Sequence, residues 1–152
     1  MESIKVIIAD DVEANNMFLE QALKKDGRIN IVGIAMDGEQ EYDLIKKYNP
    51  DLVITDNSMP KMKGIEVIKK IASEDLEKKP YFMIISGDTF GVLEKELNVI
   101  GIFGKPVEYE RILMFINDYF YEEETESSNN IEENNEKRNN FLQGLIEKIR
   151  NK

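Results

Sequence analysis

Cysteine and histidine are both absent from the 152 residues. Without cysteine there are no disulfides, no thiol nucleophile and no thiolate zinc site. Without histidine, the commonest general base and the commonest transition-metal ligand are gone as well. Any chemistry must run on carboxylates, hydroxyls, lysine, arginine, tyrosine and backbone. Positive charge is scarce, with 20 Lys and Arg against 30 Asp and Glu, a net charge of −10. Such a chain is repelled by phosphodiester backbones, so no nucleic acid partner is expected for this segment. No apolar run approaches the roughly 20 residues of a membrane span. The opening Met1-Glu2-Ser3-Ile4-Lys5 lacks a signal-peptide pattern. The expectation is a cytoplasmic chain with no membrane partner.

What is present divides near residue 121. Residues 1–121 alternate short apolar runs with helical patterns and are long enough to bury one core. The runs are Ile4–Ala9, Ile29–Ile34, Asp51–Thr55, Tyr81–Ile85 and Val99–Phe103. They are β-branched and nearly continuous, as strands covered on both faces of a parallel sheet are. Helical spacing falls in residues 12–25, 39–48, 64–72, 89–97 and 108–120. Five strands alternating with five helices predict an α/β fold, a doubly wound five-stranded parallel sheet. Residues 122–140 are acidic and Asn-rich with one aliphatic, Ile131, and predict a flexible linker. Residues 141–152 regain an apolar stripe at Phe141, Leu142, Leu145, Ile146 and Ile149, the pattern of a short amphipathic helix. It is either a frayed end or a helix that packs against its own domain or a second copy.

In a doubly wound sheet, functional residues gather in loops at the C-terminal ends of the strands. Here those ends carry Asp10-Asp11, Thr55-Asp56, Ser86-Gly87 and Lys105-Pro106. Three clustered carboxylates repel one another unless a cation sits among them. All-oxygen ligands favour Mg²⁺. An aspartate can also act as a nucleophile toward phosphorus, giving an aspartyl-phosphate. Lys105 and Mg²⁺ would supply the positive charge that phosphoryl transfer needs. Ser86 would donate a hydrogen bond, and Gly87 leaves room for the phosphoryl group. Taken singly, each residue has a plainer reading: Asp11 as a helix N-cap, Asp56 as a turn opener, Ser86 as a turn, Lys105 as a solvated lysine. Their joint occurrence at four strand ends favours the site.

The set resembles the receiver domain of two-component response regulators, which accepts a phosphoryl group from a histidine kinase. The resemblance covers residues 1–121. It rests on Asp10-Asp11, on D-N-S-M-P-K-M-K-G from Asp56 to Gly64, on Ser86-Gly87 and on Lys105-Pro106. It implies a flavodoxin-like fold of the receiver type and a phosphoacceptor switch, not a turnover enzyme. Asp56 is then the phosphoacceptor, with Asn57 and Gly87 against the phosphoryl group. The metal would be Mg²⁺, held by Asp11, Asp56 and the Ser58 backbone carbonyl, with Asp10 acting mainly through water. Lys105 would pair with Asp56 and then with the phosphoryl oxygens, and Ser86 would be the switch hydroxyl. The resemblance also implies a cis Lys105–Pro106 bond. The partner would be a sensor histidine kinase or a phosphotransfer protein, and a homodimer is a further option.

Two features depart from the pattern. The switch position three residues before the lysine is Ile102 rather than an aromatic, with Phe103 beside it. Only 19 residues separate Ser86 from Lys105, shorter than the family interval. A degenerate receiver acting as an interaction module is therefore one alternative. Another is a Mg²⁺-dependent aspartyl-phosphate phosphohydrolase, but such enzymes place a second acid two residues after the nucleophile, where this chain has Ser58. A nucleotide binder would need a Gly-, Ser- or Thr-rich first loop in place of Asp10-Asp11.

Overall fold

The computed structural model describes residues 3–91, 93–121 and 128–150, with side chains in the last segment described from Lys137 onward. The element order is β1 (Ile4–Ala9), α1 (Glu13–Leu23), β2 (Ile29–Ala35), α2 (Gly38–Tyr48), β3 (Leu52–Asp56), α3 (Gly64–Ser73), β4 (Tyr81–Ile85), a 3-10 turn (Lys95–Leu97), β5 (Val99–Phe103), α4 (Tyr109–Phe120) and α5 (Ser128–Arg150). All strand pairs are parallel, and the order across the sheet is β2-β1-β3-β4-β5. This is the doubly wound receiver-type sheet that the alternation of patterns predicts.

Strand alternation decides which side chains go where, because successive residues point to opposite faces. Val6 and Ile8 of β1, Ile54 of β3 and Ile85 of β4 share one core with Leu19 and Leu23 of α1 and Ile112 and Ile116 of α4. Ile7, Val53, Phe82, Ile84 and Ile102 point the other way, into a core with Ile45 of α2 and Val67, Ile68 and Ile71 of α3. Each fully buried side chain of this size contributes roughly 1.5–3 kcal/mol of transfer free energy. Helix ends follow local chemistry. The Asp37 carboxylate accepts from the Gln40 amide at the start of α2, and Asn49 closes α2 in the left-handed conformation, φ 48°.

Two expectations are corrected. No helix spans residues 89–97: apart from the 3-10 turn Lys95–Leu97, the described residues there are irregular. The segment is short for a helix, and Gly91 in its interior costs about 1 kcal/mol. The helical part of the tail begins at Ser128, well before residue 141, so most of the predicted linker is helical. Residues 122–127 and 151–152 lie outside the described residues.

These two corrections are connected. Leu142 and Ile149 of α5 pack with the buried Ile146 into the second core, beside Leu97, Phe90 and Leu93. The predicted stripe on α5 is real but divided. Ile146 is 4% exposed, whereas Phe141 is 55% exposed. The tail helix thus covers the side of β5 that a helix at 89–97 would cover.

Candidate functional site

The backbone at the carboxyl edge of the sheet is tied strand to strand. The Asp10 amide donates to the Ala35 carbonyl at 3.1 Å, the Asn57 amide to Ile85 at 3.0 Å and the Ser86 amide to Phe103 at 2.9 Å. These links carry the ladder one step beyond the strands and fix the four loops relative to one another. Lys105 follows β5, its bond to Pro106 is cis as expected, and its ammonium lies 2.6 Å from Asp56 Oδ2.

Asp56 is 1% exposed. Its Oδ1 accepts from the Ser58 amide at 2.8 Å. Its Oδ2 meets the Lys105 ammonium at short range but outside hydrogen-bond alignment, and no hydrogen-bond donor satisfies it. Asp10 is also buried, and its two oxygens accept from the Val12 amide at 2.8 Å and the Asn15 side chain at 3.1 Å. Burial above all, with the neighbouring Asp56 charge adding to it, holds the Asp10 carboxyl above the usual carboxylate range against these hydrogen bonds. Lys105 is affected in the opposite sense. Burial disfavours its charge, but contact with Asp56 and the charges of Asp56, Asp10 and Asp11 outweigh this and raise its pKa. The site therefore carries more negative charge than one lysine neutralises.

Asp11 is placed differently from its neighbours. It is exposed, and it does not cap α1, whose N-cap Val12 has no side-chain cap hydrogen bond. Among the described residues no three acidic side chains stand together in a metal-ligating group. The donor set nevertheless fits a hard cation: Asp56 Oδ2 is a buried oxygen without a hydrogen bond, Asp10 is held above its ordinary range, and the exposed Asp11 follows Asp10 directly. Carboxylate and carbonyl oxygens with open solvent beside them are what Mg²⁺ takes.

Ser86 is 2% exposed, and its Oγ accepts from the Asp88 amide at 2.9 Å, which leaves its proton available. A Cβ built on Gly87 would meet nothing within 4 Å, so the space beside it is open. Asn57 is not turned toward a phosphoryl group. Its Oδ1 accepts from the Ile65 amide at 2.9 Å and its Nδ2 reaches Asp88 Oδ2 at 3.4 Å, so it braces the loops after β3 and β4. Gly64 permits the loop to close, because a Cβ there would sit 2.8 Å from Thr55 Oγ1 and 2.9 Å from the Asp56 carbonyl. Ile102 is fully buried in the core under α5, while Phe103 faces the opposite side and meets Phe115 edge-on at 5.5 Å. Phe103 therefore does not stand in for an aromatic at the switch position.

Sequence reasoning missed three contributors. Tyr109 lines a cavity of about 300 Å³ beside Asp10 and Lys105, and its hydroxyl donates to Asn15 Oδ1 at 3.4 Å. Asp88 couples Ser86 to Asn57. Glu41 is fully buried against β3 with neither carboxylate oxygen hydrogen-bonded, and burial pushes its pKa up to about 8, opposed only by Thr55. Its signal was its place four residues before the buried Ile45 on α2.

The family model for the response regulator receiver domain matches residues 6–117. The chain is 36% identical over 107 residues to a protein-glutamate methylesterase/protein-glutamine glutaminase of Syntrophomonas wolfei, covering 68% of this chain and 30% of that protein. It is 30% identical to sporulation initiation phosphotransferase F of Bacillus subtilis, over 78% of this chain and 95% of that protein. Among solved structures, the CheX-CheY-BeF3-Mg complex of Borrelia burgdorferi aligns with a TM-score of 0.67 at 27% identity, over 80% of this chain and 92% of that one. The chain thus spans about a third or less of the methylesterase relatives, which are much longer than it is. No helix among the described residues is long and apolar enough to cross a membrane.

Proposed function

The chain belongs to the response regulator receiver domain family, and from that premise we propose that it is a phosphoacceptor switch modified on Asp56. The observation that carries this reading is the buried Asp56 Oδ2, which faces Lys105 at 2.6 Å and has no hydrogen bond. It is a nucleophile held in place by its other oxygen. In the transfer, an Asp56 carboxylate oxygen attacks phosphorus of a phosphohistidine. The new O–P bond forms as the N–P bond breaks, and the electron pair leaves with the donor's imidazole nitrogen. Since these 152 residues contain no histidine, the donor histidine lies outside them, on a sensor kinase or a phosphotransfer module.

Mg²⁺, held by Asp10, Asp11, Asp56 and the Ser58 carbonyl, would neutralise charge on the phosphoryl oxygens. Lys105 stays protonated and moves its charge from Asp56 onto a phosphoryl oxygen. The Ser86 hydroxyl supplies its free proton to another oxygen, and the open space beside Gly87 admits the group. None of these residues turns over a substrate, so the segment acts by changing state. Coverage of 95% of a phosphotransferase relative supports a role as a relay component in phosphoryl exchange.

The test is incubation with acetyl phosphate and Mg²⁺ followed by intact mass measurement. The expected result is a gain of one phosphoryl group that disappears without Mg²⁺ and in Asp56→Asn. Labelling that persists in Asp56→Asn, or that maps to another residue, overturns the assignment.

A further inference from the structure

We propose that the C-terminal half of α5 is a detachable occupant of a helix-binding surface on the receiver, and that phosphorylation of Asp56 loosens it; the second part rests on the phosphoacceptor reading above. The surface is on β5, against which α5 packs, and its Val99 and Ile102 share one core with Ile84 of β4 and Leu97 of the 3-10 turn. No helix of the 89–97 segment covers it. Residues Leu142, Ile146 and Ile149 do, arriving from beyond the end of the receiver fold. Removal of α5 would uncover its side of β5, where Ile102 is now buried.

The hold of α5 is of the kind a switch can move. Among the apolar residues of its C-terminal half, Ile146 alone is deeply buried and Phe141 is mostly exposed. Gly144 sits in the middle of this half, where a Cβ would meet nothing within 4 Å, and it weakens the helix. Segments with few buried apolar contacts are the first to open locally. The N-terminal side is clasped separately, since the Arg138 guanidinium donates to the Asp118 carbonyl and lies 5.4 Å from the Tyr119 ring centroid. This clasp lies on α4, so loosening concerns residues 141–150.

The route from Asp56 to α5 is short. The Ser86 hydroxyl, which a phosphoryl group would recruit, is the acceptor for the Asp88 amide. The Asp88 carboxylate is held near Asn57 Nδ2, directly after the phosphoacceptor. Phosphorylation replaces one negative charge by roughly two, and so repels Asp88 while withdrawing its hydroxyl partner. Both changes act on the irregular segment that follows. That segment sends Phe90 and Leu93 into the same core as Leu142, Ile146 and Ile149. Displacing Phe90 and Leu93 disturbs the core that they share with α5, and Ile102 of β5 lies in that same core.

The experiment is hydrogen–deuterium exchange on the full chain, with and without acetyl phosphate and Mg²⁺, alongside intact mass to read the phosphorylated fraction. Exchange in 141–150 should accelerate at least tenfold in phosphorylated protein and stay unchanged in Asp56→Asn treated alike. Unchanged exchange in protein that mass shows to be phosphorylated overturns the coupling and leaves the phosphoacceptor reading intact. No mass gain overturns both. A second variant reads the reverse direction. Ile146→Glu should detach α5 and, by reciprocity of binding free energies, strengthen Mg²⁺-dependent beryllofluoride binding several-fold. Unaltered exchange of 141–150 in Ile146→Glu overturns the docking itself, and unaltered beryllofluoride affinity with α5 detached overturns the linkage.

Discussion

On one face of the sheet, α1 and α4 lay Leu19, Leu23, Ile112 and Ile116 over Val6, Ile8 and Ile54. On the other, α2 lies against β1 and β2, α3 against β4, and β5 is finished by α5. The first face is closed by helices of the receiver fold proper and rimmed by aromatics, with Phe115, Tyr119 and Phe120 packed on it. The second is closed by a segment that lies after the fold is already complete in sequence. It also buries a carboxyl, Glu41, near Thr55 of β3. Covering apolar surface is indifferent to chain order, so a tail can supply what a short crossover segment does not. The consequence is an asymmetry: one face holds as a unit, while the other has a part that can leave.

The largest test of this asymmetry is a pair of truncations. Ile116→Ala on the first face should cost about 3–4 kcal/mol, within the range for buried isoleucine, and lower the whole unfolding transition. Ile146→Ala on the second should cost about 1–2 kcal/mol, because α5 can lift away while the rest remains folded. Denaturant unfolding checks both, and equal costs would erase the distinction.

Next in size is Glu41→Met. The pKa of Glu41 is pushed from an ordinary 4.5 up to about 8, so the folded chain keeps a proton that the unfolded chain releases between those values. Stability therefore falls as pH climbs from about 4.5 to about 8, and then levels. A shift of this size corresponds to at most about 5 kcal/mol. With relaxation, we expect Glu41→Met to gain about 2–3 kcal/mol at pH 8.5, with the gain shrinking toward pH 4.5. Unfolding curves at the two pH values check the sign, and a gain independent of pH would show that packing alone is responsible. The smallest effect belongs to the Lys25–Glu110 pair, which joins the turn after α1 to α4 at 2.6 Å with both side chains about 60% exposed. Lys25→Ala should change stability by less than about 0.5 kcal/mol.

The site was legible because parallel topology does the placing. Once five apolar runs are strands, Asp10, Asp56, Ser86 and Lys105 must lie along one edge, and residue type supplies the rest. Strand alternation likewise separates Ile102 from Phe103. The 89–97 segment was not legible, since Phe90, Leu93 and Leu97 have helical spacing and do face the core, but without a helix. The side of β5 there is packed by α5, a segment far along the chain that local patterns do not register. The start of α5 was missed because residues 128–140 carry almost no apolar side chains. Apolar content was read as the mark of structure there, although Glu and Lys are good helix formers. Glu41 was passed over for a related reason: a carboxylate on a helix is normally taken to face solvent.

The absence of tryptophan gives the network around Asp10 an optical use. Emission must come from six tyrosines. Tyr109 donates to Asn15 Oδ1, and Asn15 donates to Asp10 Oδ2, so this phenol is two hydrogen bonds from a carboxylate of the site. Burial above all raises its pKa, and the Asp10 charge adds to this, so the phenol lies within reach of the site charge. A cation arriving beside Asp10 changes that charge. The unlabelled chain thus carries a fluorophore whose emission is expected to change when a cation occupies the site, and Tyr109→Phe checks that the change belongs to this phenol.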